Sequence, residues 1–144
     1  MNECAISVIV PCFNEAENVE PLYRELAEVL MPMNKPFEIL FVDDGSADET
    51  PHKARAIAAV HPEVRLLRHK RNFGQSAAFM TGFENAAGEI IITMDADLQN
   101  DPHDIPRLLA QLEGCDIVCG IRAKRKDTWL RRQPTKIANA VRGW

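Results

Sequence analysis

The sequence predicts an α/β fold, a mostly parallel sheet with helices on both faces. Three observations predict it. Short apolar, β-branched runs bounded by Gly, Pro, Asn or Asp recur along the chain, and stretches of helical period separate them. The length of 144 residues suits one domain with its own core.

Residues 6–10 open the series as a buried strand, since Ile6, Val8, Ile9 and Val10 leave little polar surface. Val19, Leu22, Leu26, Val29 and Leu30 then fall on one face of a helix. A second strand is predicted over 37–42, an Ala-rich helix over 50–60, a third strand over 64–67 and a second Ala-rich helix over 75–86. Residues 90–94 read as a fourth strand. Ile105, Leu108, Leu109 and Leu112 repeat at helical spacing, and 116–119 read as a fifth strand. Strand and helix thus alternate throughout, which is the pattern of a parallel sheet with crossover helices. The last stretch, 135–144, reads as a helix stopping in mid-element, so the chain is read as C-terminally truncated.

A hydrophobic fraction of 46% with 26% charged residues excludes a disordered or fibrous chain. The four cysteines, Cys4, Cys12, Cys115 and Cys119, form no CxxC pair and are expected to be small buried hydrophobes rather than zinc ligands or disulfides. The acidic start, with Glu3, Glu15, Glu17 and Glu20, does not read as a signal peptide. No apolar run approaches the roughly 18 residues of a membrane span, so a cytoplasmic chain with at most peripheral membrane contact is expected. The net charge of −4 conceals an asymmetry: residues 1–121 carry −11 and residues 122–144 carry +7. The basic tail calls for an anionic partner, a membrane surface, a phosphate-bearing acceptor or nucleic acid, with a solvated basic helix as the plain alternative.

In an open α/β sheet ligands gather outside the carboxyl ends of the strands. Those ends are polar here. Asp95 and Asp97 flank Ala96 just past the fourth strand, and two unpaired carboxylates so close would be costly to hold without a cation. Mg²⁺ or Mn²⁺ suits them, because either takes one or two protein carboxylates and completes its shell with water and substrate phosphates, and Gln99 adds an amide oxygen. Past the second strand, Asp43-Asp44-Gly45-Ser46 reads either as a capped turn or as carboxylates that accept hydrogen bonds from a nucleobase or ribose.

Taken in order, Ile6-Ser7-Val8-Ile9-Val10-Pro11-Cys12-Phe13-Asn14-Glu15, Val42-Asp43-Asp44-Gly45-Ser46 and Asp95-Ala96-Asp97-Leu98-Gln99 closely resemble the family 2 glycosyltransferases, whose fold is the Rossmann-like GT-A fold. Arg71-Asn72-Phe73-Gly74-Gln75-Ser76-Ala77-Ala78, Asp101-Pro102 and Gly120-Ile121-Arg122 with Arg125-Lys126-Asp127 narrow the resemblance to the polyprenyl-phosphate branch, similar to dolichyl-phosphate mannose synthase and bacterial undecaprenyl-phosphate sugar transferases. The resemblance implies that Pro11, Phe13, Glu15, Asp43 and Asp44 line the nucleotide pocket, with Phe13 where Tyr is usual. It implies that Asp95 contacts the nucleoside or sugar side of the donor, that Asp97 and Gln99 hold the metal on the diphosphate, and that Arg122 and Arg131 face the acceptor phosphate. Asp95 and Asp97 are thereby the catalytic pair.

The implied reaction is inverting transfer of a sugar from a nucleotide-diphosphate sugar to undecaprenyl or dolichyl phosphate, at the cytoplasmic face of a membrane. Residues 1–121 would be the nucleotide-sugar-binding GT-A core and 122–144 its basic, acceptor- and membrane-facing segment. Gln133-Pro134-Thr135 does not supply the Gln-x-x-Arg-Trp element of processive members, which argues against a polymerase. Self-association into a homo-oligomer stays open, and no nucleic-acid partner is expected. The competing readings are a nucleotide-sugar-binding fragment with little transferase activity and a family 2 transferase for another acceptor. A phospho-receiver domain fits less well, because its acidic pair follows the first strand, and a dehydrogenase lacks its G-x-G-x-x-G here.

Overall fold

A computed structural model describes residues 4–120. Its elements are β1 (Ile6–Cys12), α1 (Val19–Leu30), β2 (Phe37–Asp43), α2 (Thr50–Val60), β3 (Val64–Arg68), α3 (Gln75–Asn85), β4 (Ile90–Thr93) and α4 (Ile105–Ala110), with 3-10 turns at Met31–Met33 and Pro102–Asp104. The chain divides into two compact units, Met1–Arg107 and Leu108–Trp144.

In the first unit the four strands pair in the order β3-β2-β1-β4, all parallel. The apolar runs of β1 and β2 are explained by their central place. Ile9, Leu40 and Val42 pack with Ala78 of α3 on one face, while Val8, Val10, Ile39 and Phe41 alternate to the other, and all are 0% exposed. The α1 and α2 helices pack on each other, and α2 lies on β2 and β3. β4, at the sheet edge, alternates between half-buried and exposed residues.

The first three strands run further than their apolar residues foretell, because the ladder carries the polar ends along: Cys12 pairs with Asp43, and Asp43 with Arg68. This register draws Asp43 inside the sheet.

At the opposite end of the strands a polar knot closes the sheet. Glu38, 7% exposed, accepts hydrogen bonds from Ser7 Oγ (2.6 Å), the Ala87 amide (2.6 Å) and Arg65 Nη1 (2.8 Å). Burial favours the neutral acid, yet these donors hold the Glu38 carboxyl below its ordinary range. Glu38→Ala is expected to cost about 2 kcal/mol, since the Ser7 hydroxyl and the Ala87 amide lose their acceptor while the half-exposed Arg65 turns to water. Urea denaturation measures this; a loss below about 0.5 kcal/mol would show the knot to be passive.

In the second unit, residues 111–120 form turns and extended chain without a strand. The fifth strand expected over 116–119 is therefore corrected: no ladder partner is present among the described residues, and Ile117 is 80% exposed. β-propensity alone does not make a strand without cross-strand neighbours. The fourth helix ends at Ala110, before Leu112, where bonds of the i to i−3 type lead to Gly114 in the left-handed region. The cysteine expectation holds for Cys12, which is buried. It fails for Cys115 and Cys119, both exposed in this irregular segment, and Cys4 is half-buried. The helix expected over 135–144 and the basic segment 122–144 lie outside the described residues.

Candidate functional site

The sheet order places a topological switch between β1 and β4, since the chain builds outward from β1 to β3 and then returns to β1's other side. A cleft of about 450 Å³ opens there at the carboxyl ends of the strands. Pro11, Phe13 and Glu15 from the loop after β1, Asp44 from the loop after β2, and Asp95 and Asp97 from the loop after β4 all line it. Six residues singled out from sequence are thus brought together.

The loops after β1 and β2 are tied to each other. The Asn14 amide donates to Ser46 Oγ (2.9 Å), the Ala47 amide to Asn14 Oδ1 (3.0 Å), the Glu15 amide to Thr50 Oγ1 (2.8 Å) and the Ala16 amide to Asp48 Oδ2 (3.2 Å). Asn14 sits at φ +56°, a conformation that Asn tolerates and that swings Phe13 to the surface, 46% exposed. An exposed aromatic on a polar cleft offers a stacking face. Cys12 beneath it is no nucleophile, because burial and the nearby Asp43, Glu15 and Asp48 push its thiol pKa far up.

The two adjacent aspartates have different fates. Asp43 is 0% exposed, and its carboxylate accepts from the Ser46 amide (3.1 Å) and from Arg68 Nε (3.0 Å). It does not line the cleft, and its work is that of the turn reading: it holds the loop. Asp44 reaches the cleft and also anchors the chain after β3. Its Oδ1 accepts from the Phe73 amide (2.9 Å) and lies 2.7 Å from His69 Nδ1, and its Oδ2 accepts from the Gly74 amide (2.8 Å). His69 Nε2 in turn lies 2.8 Å from Thr81 Oγ1 on α3.

Burial of Asp44 works to raise its pKa, but the Phe73 amide, His69 and the Gly74 amide together hold it below the ordinary carboxylate range. Asp48 is depressed as well: burial raises it, and hydrogen bonds from Thr50 and Ala16 outweigh that. Carboxyls with depressed pKa stabilise the fold in full above their unfolded value, about pH 4, and lose that contribution as pH falls through the folded value. Urea midpoints are therefore expected to fall below about pH 4, and Asp44→Asn is expected to flatten the fall. An unchanged slope in Asp44→Asn would remove Asp44 from this linkage.

Asp95 is half-exposed and accepts from Gln75 Nε2 (2.6 Å). Asp97 is exposed, and its Oδ1 accepts from the Gln99 amide (3.0 Å), which closes a tight turn with Leu98 at φ +57°. Gln99 is exposed and is not part of the cleft lining. Among the described residues no group of three or more His, Cys, Asp or Glu could hold a metal. The donor chemistry fits Mg²⁺ or Mn²⁺ bound partly through a ligand's phosphates, and does not fit an all-protein cage. Arg122 and Arg131 lie outside the described residues.

Sequence reasoning left Asn72, Gly74 and Gln75 without a role, yet they form a wall of the cleft. Their signal was the polar loop between the third strand and the Ala-rich helix. What hid them is that the Asp44 hydrogen bonds holding that loop at the site join residues 29 and 30 positions apart.

The model of the family described as glycosyl transferase family 2 matches residues 7–143. The chain belongs to glycosyltransferase family 2. This family 2 domain is similar to mannosyltransferase PcManGT from Pyrobaculum calidifontis, solved in complex with GDP-Man and Mn²⁺, with 32% identity and a TM-score of 0.66 over 74% of this chain and 32% of that one. It is also similar to glucosyl-3-phosphoglycerate synthase from Mycobacterium tuberculosis, in complex with Mn²⁺, UDP and glucosyl-3-phosphoglycerate (21% identity, TM-score 0.62, 78% of this chain and 41% of that one). S. aureus TarS 1–349 in complex with UDP-GlcNAc shares the fold at 20% identity and a TM-score of 0.65, over 86% of this chain and 39% of that one. The four-stranded parallel sheet with flanking helices is the GT-A fold. The domain spans about a third to two fifths of the length of these proteins. No described helix is long and apolar enough to cross a membrane.

Proposed function

We infer that this family 2 domain binds a nucleotide-diphosphate sugar with Mg²⁺ or Mn²⁺ and serves inverting transfer of the sugar to a polyprenyl phosphate, undecaprenyl or dolichyl. The convergence of Phe13, Asp44, Asp95 and Asp97 on one cleft at the β1/β4 switch carries the donor half of this reading. The acceptor half rests on the sequence motifs of the polyprenyl-phosphate branch.

In this reading Phe13 offers its face to the nucleobase, Pro11 and Glu15 border it, and Asp44 and Asp95 accept hydrogen bonds from the nucleoside or sugar hydroxyls. Asp97, with Gln99 from the same turn, would hold the metal. When bound, the cation supplies Lewis-acid neutralisation of the diphosphate leaving group. Asp43 contributes indirectly, through the loop it braces. Arg122 and Arg131 are assigned to the acceptor phosphate, which is largely ionised at pH 7, with a second pKa of about 6, and so requires no protein base. Residues 1–121 would then bind the donor, and 122–144 would face the acceptor on the cytoplasmic side of an anionic membrane.

The test incubates the chain with labelled GDP-mannose, UDP-glucose or UDP-GlcNAc and MnCl₂ on anionic liposomes containing undecaprenyl or dolichyl phosphate, at low and high salt. Mn²⁺-dependent binding with lipid labelling that salt suppresses is expected. Absence of Mn²⁺-dependent binding for every donor overturns the reading. Donor binding without lipid labelling, or labelling indifferent to salt, overturns its acceptor and membrane halves respectively.

A further inference from the structure

We propose that Gln75 is a positioning residue that holds Asp95 in its donor-binding orientation. Gln75 is the first residue of α3, but its side chain does not cap that helix. It reaches instead across the cleft wall to the end of β4, where Nε2 donates to Asp95 Oδ1 at 2.6 Å. The point from which it reaches is itself fixed. Asp44 accepts from the Phe73 and Gly74 amides directly before Gln75, and Gly74 also donates to Asn72 Oδ1 (3.1 Å). The carboxylate after β2 thereby sets the start of α3, and Gln75 passes that placement to the carboxylate after β4.

The choice of an amide has a chemical reason. A neutral donor occupies one carboxylate oxygen and leaves the full negative charge and the second oxygen for a ligand. A Lys or Arg in the same place would cancel that charge beside a cation-binding loop. Half-exposed Asp95 would otherwise turn freely, and a carboxylate that must be ordered on binding loses affinity.

The inference rests on the donor role proposed for Asp95, so the experiment separates the two. Calorimetry with GDP and UDP in MnCl₂ compares the full chain, Gln75→Met, Asp95→Ala and the double variant, with thermal midpoints as the check on folding. Gln75→Met keeps the side chain's length and removes the donor. It is expected to weaken nucleotide binding about tenfold, the order seen when partners that orient a ligating group are lost, with an unchanged midpoint. In the Asp95→Ala background, where the acceptor oxygen is gone, the same substitution is expected to change affinity less than about twofold, because interacting residues are not additive. Equal losses in both backgrounds, or no loss in the wild-type background, overturn the proposal while leaving Asp95 its role. Full nucleotide affinity in Asp95→Ala overturns the donor role of Asp95, and the proposal with it.

Discussion

Gly45→Ala is expected to destabilise the protein by about 4 kcal/mol, whereas Gly74→Ala should cost about 1–2 kcal/mol. Both glycines occupy the left-handed region, at φ +74° and +94°. An added methyl at Gly74 meets nothing within 4 Å, so only the conformational penalty applies. At Gly45 the methyl would overlap the Arg71 carbonyl carbon and lie 2.7 Å from the Asn72 nitrogen. Those are backbone atoms, which no rotamer change can remove. The strain would separate the loop after β2 from the segment that Asp44 holds, and that segment is a wall of the cleft. A loss of this size is a large part of the 5–15 kcal/mol that holds a typical domain together. Paired urea titrations of the two variants decide it: equal costs would mean that the close approach of the two loops is not what demands glycine at position 45.

Asp97→Asn is expected to weaken Mn²⁺-dependent nucleotide binding at least about a hundredfold, since losing a charged ligand should exceed the 10–100-fold cost of losing an outer partner, while the unfolding midpoint stays put. The separation follows from what Asp97 does locally. Its Oδ1 accepts the Gln99 amide, and Asn retains that oxygen, so the turn around Leu98 survives. What disappears is the negative charge of an exposed side chain on the cleft. Calorimetry with and without MnCl₂ reads the first quantity and thermal unfolding the second. Unchanged Mn²⁺ dependence would remove Asp97 from the metal, and a falling midpoint would make it a structural residue.

Not every carboxylate near the site faces a ligand. Asp43 and Asp44 are neighbours in sequence and both are buried, 0% and 3% exposed, but of the two Asp44 borders the cleft. β2 ends at Asp43, which stays paired in the ladder, while Asp44 is the first residue of the loop that borders the cleft. Asp43 pairs with Arg68 and accepts the Ser46 amide, while Asp44 borders the cleft and fixes the chain that enters α3. Phe13 is presented by a different device, the left-handed Asn14 held by the loop across from it.

Much of this was legible in the residues alone. The buried runs of β1 and β2, the amphipathic α1 and the alternation of strand with helix determined a parallel α/β sheet, because each encodes burial through local periodicity. The strand-end rule then pointed to Asp44, Asp95 and Asp97, since residues directly after a buried parallel strand emerge at the sheet's carboxyl edge, where the crevice opens, and the family resemblance added Phe13 and Glu15. Tertiary structure decided what depends on a partner distant in sequence. The run at 116–119 has strand composition but is paired with no strand among the described residues, and β-structure is a property of pairs. Asp43 left the cleft because register with Arg68 drew it into the ladder. Gln75 acquired a role only because Asp44, 31 positions earlier, turns its loop toward Asp95, 20 positions later. Local periodicity records which way a side chain faces, and only the packed sheet determines what it meets there.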